Sequence, residues 1–378
     1  MNFKKLHLNK FEKKDNIIDQ DHDLKKAAKT DKEKTEENSE IFISDTDKFY
    51  KNRESCEVTG RDFNFYRHMI YPGLSDEEIH KTLKDGVIDI GCGASTFGVE
   101  AKEKFPDIKN IVSIDVQDFD KIIHEREKRQ KTSSKEGYVQ TTALSLPFKD
   151  NSFGEVITNF GPLYYVYNNY IFNSGGNDKL ELLVVARNGL HILYEMLRVV
   201  KCGGKVRICP VFQYDKSKEP IPFDYSDNID QFFREYFYNT LEKCNIPKPK
   251  FQEFTGEPRK ETFPDSVFSM VITKPDNIEN NGNEKKNDFL KPFKDVLNDL
   301  NKEINKFYKF KKEIDELRNK RHELGQAFDE LEEPYLYPHG SYKNCPDDIK
   351  MKIQKIKTEY YELEKEILEK EKIFKNMT

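Results

Sequence analysis

The sequence lacks several of the patterns that would assign a function class directly. Its six cysteines include no C-x-x-C pair, so their spacing indicates neither a zinc site nor a disulfide framework. No apolar run has the length of a transmembrane helix, and the first residues lack the apolar core of a signal peptide. The net charge of -5 gives no reason to expect nucleic acid as the main partner. We therefore expect a cytoplasmic protein without a bound metal, a membrane span or a nucleic-acid partner.

The length of 378 residues exceeds that of a usual single domain, and the composition divides the chain. Residues 1–44 are rich in Lys, Asp, Glu and Asn and are predicted to form a disordered charged arm. The main domain is predicted at 45–275, and it opens with an aromatic lid segment at 49–74 that packs over the ligand mouth. By composition, residues 276–287 are a linker, and 288–378 are helical.

The main motif is Val87–Ala101, VIDIGCGASTFGVEA, in which an apolar strand stops at a glycine turn and a helix follows. Gly91 and Gly93 allow a tight turn whose backbone can come close to a ligand. The third glycine of the dinucleotide fingerprint is missing, because Thr96 stands in its place. Instead, Asp89 on the strand could accept a hydrogen bond from a charged amine of the ligand. The motif predicts a nucleotide-binding crevice.

Two further residues of this region have alternative interpretations. A second predicted strand, 110–115, ends in Asp115, where an acid usually holds ribose hydroxyls. We predict that Asp115 is a ribose ligand, and a helix or turn cap is the alternative. Cys92 is either a nucleophile or a small residue that fits the turn. We favour the second role, because no histidine nearby in the sequence would activate the thiol.

Three stretches resemble the class I S-adenosylmethionine-dependent methyltransferases, with a type 11/25-like domain. The D-x-G-x-G of Asp89–Gly93 resembles their motif I. TALSLPFKDNSFGEV at 142–156 resembles their D-A-x-x-L-P-F-x-D-x-S-F-D-x-V run, and EMLRVVKCGG at 195–204 resembles their E-x-x-R-V-L-K-P-G-G. The resemblance covers roughly 86–273. It implies an α/β fold with a doubly wound, mostly parallel, seven-stranded Rossmann-like sheet, and S-adenosylmethionine as the cofactor.

The resemblance also implies where this cofactor would be held. Thr142 and Ala143 would lie beside the adenine, and Thr142 replaces the usual Asp of the family, which weakens one contact. The whole predicted cofactor-binding set is Asp89, Gly91, Cys92, Gly93, Ser95, Asp115, Val116, Thr142, Ala143 and Asn159. The predicted acceptor-side residues are Tyr66, Tyr164 and Tyr165. No catalytic residue is assigned. His68 or His191 could deprotonate an acceptor, but packing is the favoured role of both, because no spacing ties either one to the methyl donor.

The expected activity is transfer of a methyl group to an unidentified acceptor by direct in-line displacement, because a sulfonium methyl group is already activated. A small-molecule acceptor is favoured over a protein. The absence of an N-P-P-Y signature at 159–162 argues against adenine or glutamine as the acceptor. A nicotinamide-dependent oxidoreductase would share the first strand and Asp115, but it would not explain the L-P-F-x-D-x-S-F run. A non-catalytic scaffold that acts through the C-terminal helices is the other alternative.

Apolar residues in the C-terminal region recur at steps of three and four from Phe293 to Leu331. They do so again from Ile349 to Ile367, in the heptad seam of a coiled coil. Pro334–Pro346 interrupts the pattern, so we predict an antiparallel helical hairpin. This hairpin either forms a homodimer, binds a protein partner or docks on the enzyme, because periodicity fixes the seam and not what covers it.

Overall fold

The computed structural model describes residues 61–108, 110–128, 137–164, 166, 179–213, 233–254, 266–276, 289–335 and 345–377. All of them belong to one compact unit, Thr59–Thr378. The predicted arm at 1–44, the first part of the lid segment, Tyr165 and nearly all of the linker lie outside the described residues. Within the described residues, no helix is both long enough and apolar enough to cross a membrane.

Seven strands form a single sheet: β1 Val87–Ile90, β2 Ile111–Asp115, β3 Tyr138–Gln140, β4 Phe153–Asn159, β5 Val200–Gln213, β6 Lys250–Glu253 and β7 Ser266–Thr273. Their order across the sheet is β3-β2-β1-β4-β5-β7-β6. The first five strands pair in parallel, whereas β7 runs antiparallel to both β5 and β6. The predicted mostly parallel, seven-stranded α/β fold is confirmed, and the last two strands close it as an antiparallel pair.

The helices of the described residues are α1 Phe63–Met69, α2 Asp76–Leu83, α3 Phe97–Lys104, α4 Phe119–Lys128, α5 Lys179–Val199, α6 Asn239–Lys243, α7 Lys291–Glu332 and α8 Asp347–Met377. Helix α2 begins with a capping box: the Ser75 hydroxyl accepts from the Glu78 N–H, and the Glu78 carboxylate accepts from the Ser75 N–H. The sequence pattern of residues 229–243 predicts an amphipathic α-helix. A π-helical turn at Phe233–Tyr238 precedes α6, so this prediction is wrong for those residues.

The order of the strands reverses between β1 and β4, and this reversal positions the site. All four residues of β1 are buried, as expected for a central parallel strand. β1 pairs with β2 on one side and with β4 on the other. Because parallel strands end at the same edge, the ends of these strands bring Ile90, Asp115 and Asn159 together. A ligand crevice forms at such a switch point.

The glycines of EMLRVVKCGG predict a helix cap and turn at Gly203 and Gly204, and this is wrong, because both lie within β5. Helix α5 ends at Val199, and β5 begins at the next residue. Gly203 has a φ of 74°, and its N–H donates to the Lys274 carbonyl at 2.9 Å. The pairing of β4 with β5 shifts register here. The glycines therefore allow the backbone of β5 to follow an irregular path where its pairing with β4 shifts.

The two C-terminal helices have different neighbours along their length. The first half of α7 packs on α5, where the Lys294 ammonium lies 5.9 Å from the Tyr194 ring centre. Further along, α7 pairs with α8, and the rings of Phe307 and Phe374 meet edge to face at 6.0 Å. On its outer side α8 keeps Met351 exposed. Homodimer formation or partner binding through 288–378 stays a prediction.

Candidate functional site

The glycine turn joins β1 to α3 and lies directly against the loop that follows β4. Gly91 and Gly93 have φ values of 72° and 54°, in the left-handed region that favours glycine. A Cβ atom on Gly91 would lie 2.6 Å from Cδ of Pro162. The Gly91 N–H donates to the Ile114 carbonyl at 2.8 Å, which ties the turn to β2. The glycines therefore let three strand ends approach each other closely.

Asp115, at the end of β2, is linked to this turn through its side chain. The Gly93 N–H donates to Oδ2 at 2.8 Å, and the Gln117 N–H donates to Oδ1 at 3.0 Å. The turn-capping role that the sequence left open is therefore present. Each carboxylate oxygen can accept a second hydrogen bond, so a ribose role remains compatible with it. Val116 follows at the same strand end, where its carbonyl accepts from the Gln140 amide at 3.3 Å.

Asp89, on β1, is fully buried and hydrogen-bonded on one side only. The Tyr66 hydroxyl donates to Oδ2 at 2.7 Å, whereas Oδ1 has no partner among the described residues. Burial raises the pKa of Asp89 to about 7, although the Tyr66 hydrogen bond and the positive charge of Arg61 both act to lower it. The carboxyl group therefore changes charge near neutral pH.

Asn159, at the end of β4, is also fully buried. Neither Nδ2 nor Oδ1 of its side chain has a hydrogen-bond partner among the described residues. Leaving a buried polar group unpaired costs free energy, and native proteins rarely do so without a reason. Asp89 is next to the last residue of β1 and Asn159 ends the adjacent β4, so the two unpaired groups belong to neighbouring strand ends. This arrangement points to a polar ligand.

Arg61 is a site residue that the sequence interpretation missed. Its Nη1 donates to the Asn159 carbonyl at 2.9 Å. Its guanidinium carbon lies 4.8 Å from the ring centre of Phe160 and 5.7 Å from that of Phe65. The residue belongs to no motif, and 98 residues separate it from Asn159. The neighbouring aromatic segment is the only signal that could have drawn attention to it.

Ser95 and Cys92 belong to the predicted cofactor set, but their side chains are used inside the protein. The Ser95 hydroxyl donates to the Arg61 carbonyl at 2.9 Å and accepts from the Phe97 N–H at 3.2 Å. It therefore fixes the start of the aromatic segment against α3. Cys92 is buried, and burial raises the pKa of its thiol well above the usual range. A thiol that stays protonated fits the packing role and not the nucleophilic one.

Thr142 and Ala143 lie in the loop between β3 and β4. The Thr142 hydroxyl accepts from the Leu144 N–H at 3.2 Å, so it stabilises the turn of its own loop. Ala143 is buried, whereas Thr142 is half-buried.

The same loop is held from outside by two residues of α5. Arg198 donates from Nη2 to the Leu146 carbonyl at 2.8 Å and from Nη1 to the Phe148 carbonyl at 2.7 Å. Glu195 accepts from the Leu146 N–H at 2.8 Å. An ion pair of 2.7 Å joins Arg198 to Glu195. The pair acts as a clasp that sets the position of the loop.

The predicted acceptor-side residues occupy different places. Tyr66 is buried, and its hydroxyl donates to Asp89, so this hydroxyl supports the Asp89 carboxylate. Tyr164 is half-buried and meets the Phe160 ring edge-on at 5.2 Å. Tyr165 lies outside the described residues.

The two histidines considered as bases have aromatic neighbours. His68 meets Phe254 edge-on at 6.3 Å. His191 is on α5 beside Tyr194, which contacts α7, and burial lowers the pKa of this histidine. Neither contact assigns a proton-transfer role. The described residues include no group of three or more His, Cys, Asp or Glu that could hold a metal ion.

No family model and no curated protein matches the chain. Among solved structures, it is similar to the 4+2 cyclase SpnF, with 15% identity over 52% of this chain and 77% of that chain and a TM-score of 0.33. A SAM-dependent methyltransferase from Aquifex aeolicus has 14% identity over 55% and 92%, with a TM-score of 0.30. The 1,6-didemethyltoxoflavin-N1-methyltransferase of Burkholderia thailandensis, with bound S-adenosylhomocysteine, has 10% identity over 70% and 94%, with a TM-score of 0.32. These distant similarities do not assign a function.

Proposed function

We propose that this protein is a methyltransferase that uses S-adenosylmethionine and transfers its methyl group to a small-molecule acceptor. The observation that supports this most directly is the pair of unpaired buried groups, Asp89 Oδ1 and the Asn159 amide, beside the guanidinium of Arg61. The amino-acid end of S-adenosylmethionine carries one ammonium and one carboxylate group. A carboxylate, an amide and a guanidinium complement both charges.

The neighbouring residues suit the adenosyl end of the same molecule. Asp115 stands at the end of the adjacent strand, and its oxygens can accept from ribose hydroxyls while they hold the glycine turn. Thr142 and Ala143 lie in the next loop, where the resemblance implies the adenine. The residues present therefore fit the donor along its whole length.

S-adenosylmethionine supplies a sulfonium methyl group that a nucleophile can displace directly. The protein's part is to align the acceptor and to exclude water. Tyr66 fixes the orientation of the Asp89 carboxylate, and the aromatic segment that contains it covers this end of the sheet. Phe160 and Tyr164 follow β4 and flank the side from which an acceptor would approach. We assign no proton transfer to a residue.

The proposal is tested by binding and transfer measured on the purified full chain. Calorimetry with S-adenosylhomocysteine, and with NAD as the comparison, should give heat for the first ligand only. Labelled methyl transfer into extract fractions, sorted by acceptor size, should then label small molecules. Binding without transfer into any fraction would favour the scaffold alternative. Heat with NAD alone would favour an oxidoreductase and overturn the proposal.

A further inference from the structure

Phe160 adopts a backbone conformation that large side chains avoid. Its φ is 51°, in the left-handed region where glycine and asparagine are favoured. The N–H of Phe160 donates to the Cys209 carbonyl at 2.8 Å, and this hydrogen bond holds the backbone in place. Its ring is half-buried and packs against the edge of the hydrophobic core, as the rings of Phe65 and Phe254 do from residues without a positive φ.

The backbone turn itself has a steric cause. The loop after β4 packs against the glycine turn, where a Cβ on Gly91 would meet Pro162 at 2.6 Å. A Cβ on Gly161 would meet the Ile90 carbonyl oxygen at 2.5 Å. The chain must therefore turn sharply at position 160 to pass beneath the glycine turn. Glycine would satisfy that requirement with less strain, so the phenyl ring needs a separate explanation.

The ring of Phe160 contacts the guanidinium of Arg61. The guanidinium carbon is 4.8 Å from the ring centre, within the range of a cation–π contact, and Phe65 contributes a second ring at 5.7 Å. The hydrogen bond from Nη1 to the Asn159 carbonyl adds a third restraint. A long flexible side chain held at three points loses little further freedom when a ligand binds.

We propose that Phe160 is a positioning residue, which holds Arg61 in the orientation that receives the carboxylate of the methyl donor. This inference rests on the proposed function and extends it to a residue that does not itself touch the donor's charged groups. The strained backbone at position 160 is the cost of placing a ring against Arg61 while the loop passes under the glycine turn.

A pair of ligands isolates this role. S-adenosylhomocysteine and its decarboxylated analogue differ only in the carboxylate, so the ratio of their dissociation constants measures how much the carboxylate contributes. In the parent protein the analogue should bind much more weakly. In Phe160→Gly the ratio should fall about tenfold, through weaker binding of S-adenosylhomocysteine alone. Glycine also tolerates the backbone conformation, so the variant should fold. Arg61→Met should bring the ratio close to one.

Phe254→Leu is the matched control, because Phe254 is a partly buried ring that packs on the same core without contacting Arg61 in the described contacts. In Phe254→Leu the ratio of the two dissociation constants should equal that of the parent. Phe160→Leu should behave as Phe160→Gly does. A parent-like ratio in both Phe160 variants would overturn the inference, and so would an equal loss of both ligands. Failure of the parent to bind S-adenosylhomocysteine at all would instead overturn the proposed function.

Discussion

Lowering the pH from 8 to 6 should weaken binding of S-adenosylhomocysteine through the protonation of Asp89. Burial raises the pKa of this carboxyl to about 7, so it is mainly ionised at the higher pH and mainly protonated at the lower. The ionised form accepts a charge-assisted hydrogen bond from the ligand's ammonium group, whereas the neutral carboxyl group can offer that cation only a weaker one. With one group of pKa near 7, the dissociation constant should rise about tenfold between these two values. Asp89→Asn should bind more weakly and lose this dependence.

The assay is titration calorimetry at several pH values, in two buffers that differ in ionisation enthalpy. At pH 6 the parent should release nearly one proton for each ligand bound. Asp89→Asn should not release this proton, because it lacks the carboxyl group. Any proton release that remains in Asp89→Asn comes from other groups, including the ligand, and is subtracted from that of the parent. A parent dissociation constant that stays constant from pH 6 to 8, or an equal slope in the variant, would refute the reasoning.

The unliganded protein gives a second check on the same group. The pKa of Asp89 in the folded protein lies above its usual value of 3.8, so between these values the folded state keeps a proton that the unfolded chain releases. Its contribution to stability is complete at low pH and is lost as the pH rises towards about 7. Urea unfolding of the parent and of Asp89→Asn should show this difference in slope.

Three other changes have expected outcomes. Asp115→Asn should weaken S-adenosylhomocysteine binding about tenfold or more, because a neutral amide replaces a charged acceptor for the ribose hydroxyls; calorimetry measures it. Arg198→Lys should raise the same dissociation constant about tenfold, because a lysine cannot hold the Leu146 and Phe148 carbonyls together. Lys274→Met should lower the free energy of unfolding by about 2 kcal/mol, measured in urea, because the buried ammonium donates to backbone carbonyls that would lose a partner.

Each of these changes has a control of the same chemistry on an exposed residue. They are Asp295→Asn, Arg318→Lys and Lys302→Met, and all three should behave as the parent does. Parent-like affinity in Asp115→Asn would remove the ribose assignment. If Arg198→Lys loses stability but keeps its affinity, the clasp supports the fold and not the ligand loop. An unchanged free energy of unfolding in Lys274→Met would show that water replaces the ammonium.

Much of the fold follows from patterns that are local in the sequence. Val87–Ile90 is apolar without alternation, which is typical of a strand covered on both faces, and it is buried as expected. The run SVFSMVIT predicts a strand at residues 266–273, and the structure has a strand at Ser266–Thr273. Ser75 followed by three acidic residues predicts a helix start, and the structure has Ser75 as the N-cap of α2. Where the prediction was wrong, as at Gly203, pairing with a distant strand decided the backbone.

The sequence alone determined the order of the elements, the glycine turn and the acids at the strand ends, because side-chain period and turn chemistry act over a few residues. Only the tertiary structure decided that Arg61 lies beside Asn159, that Tyr66 covers Asp89, and that α7 packs on α5. These contacts join residues far apart in the chain. No local pattern specifies them, because they depend on which strand ends meet at the edge of the sheet.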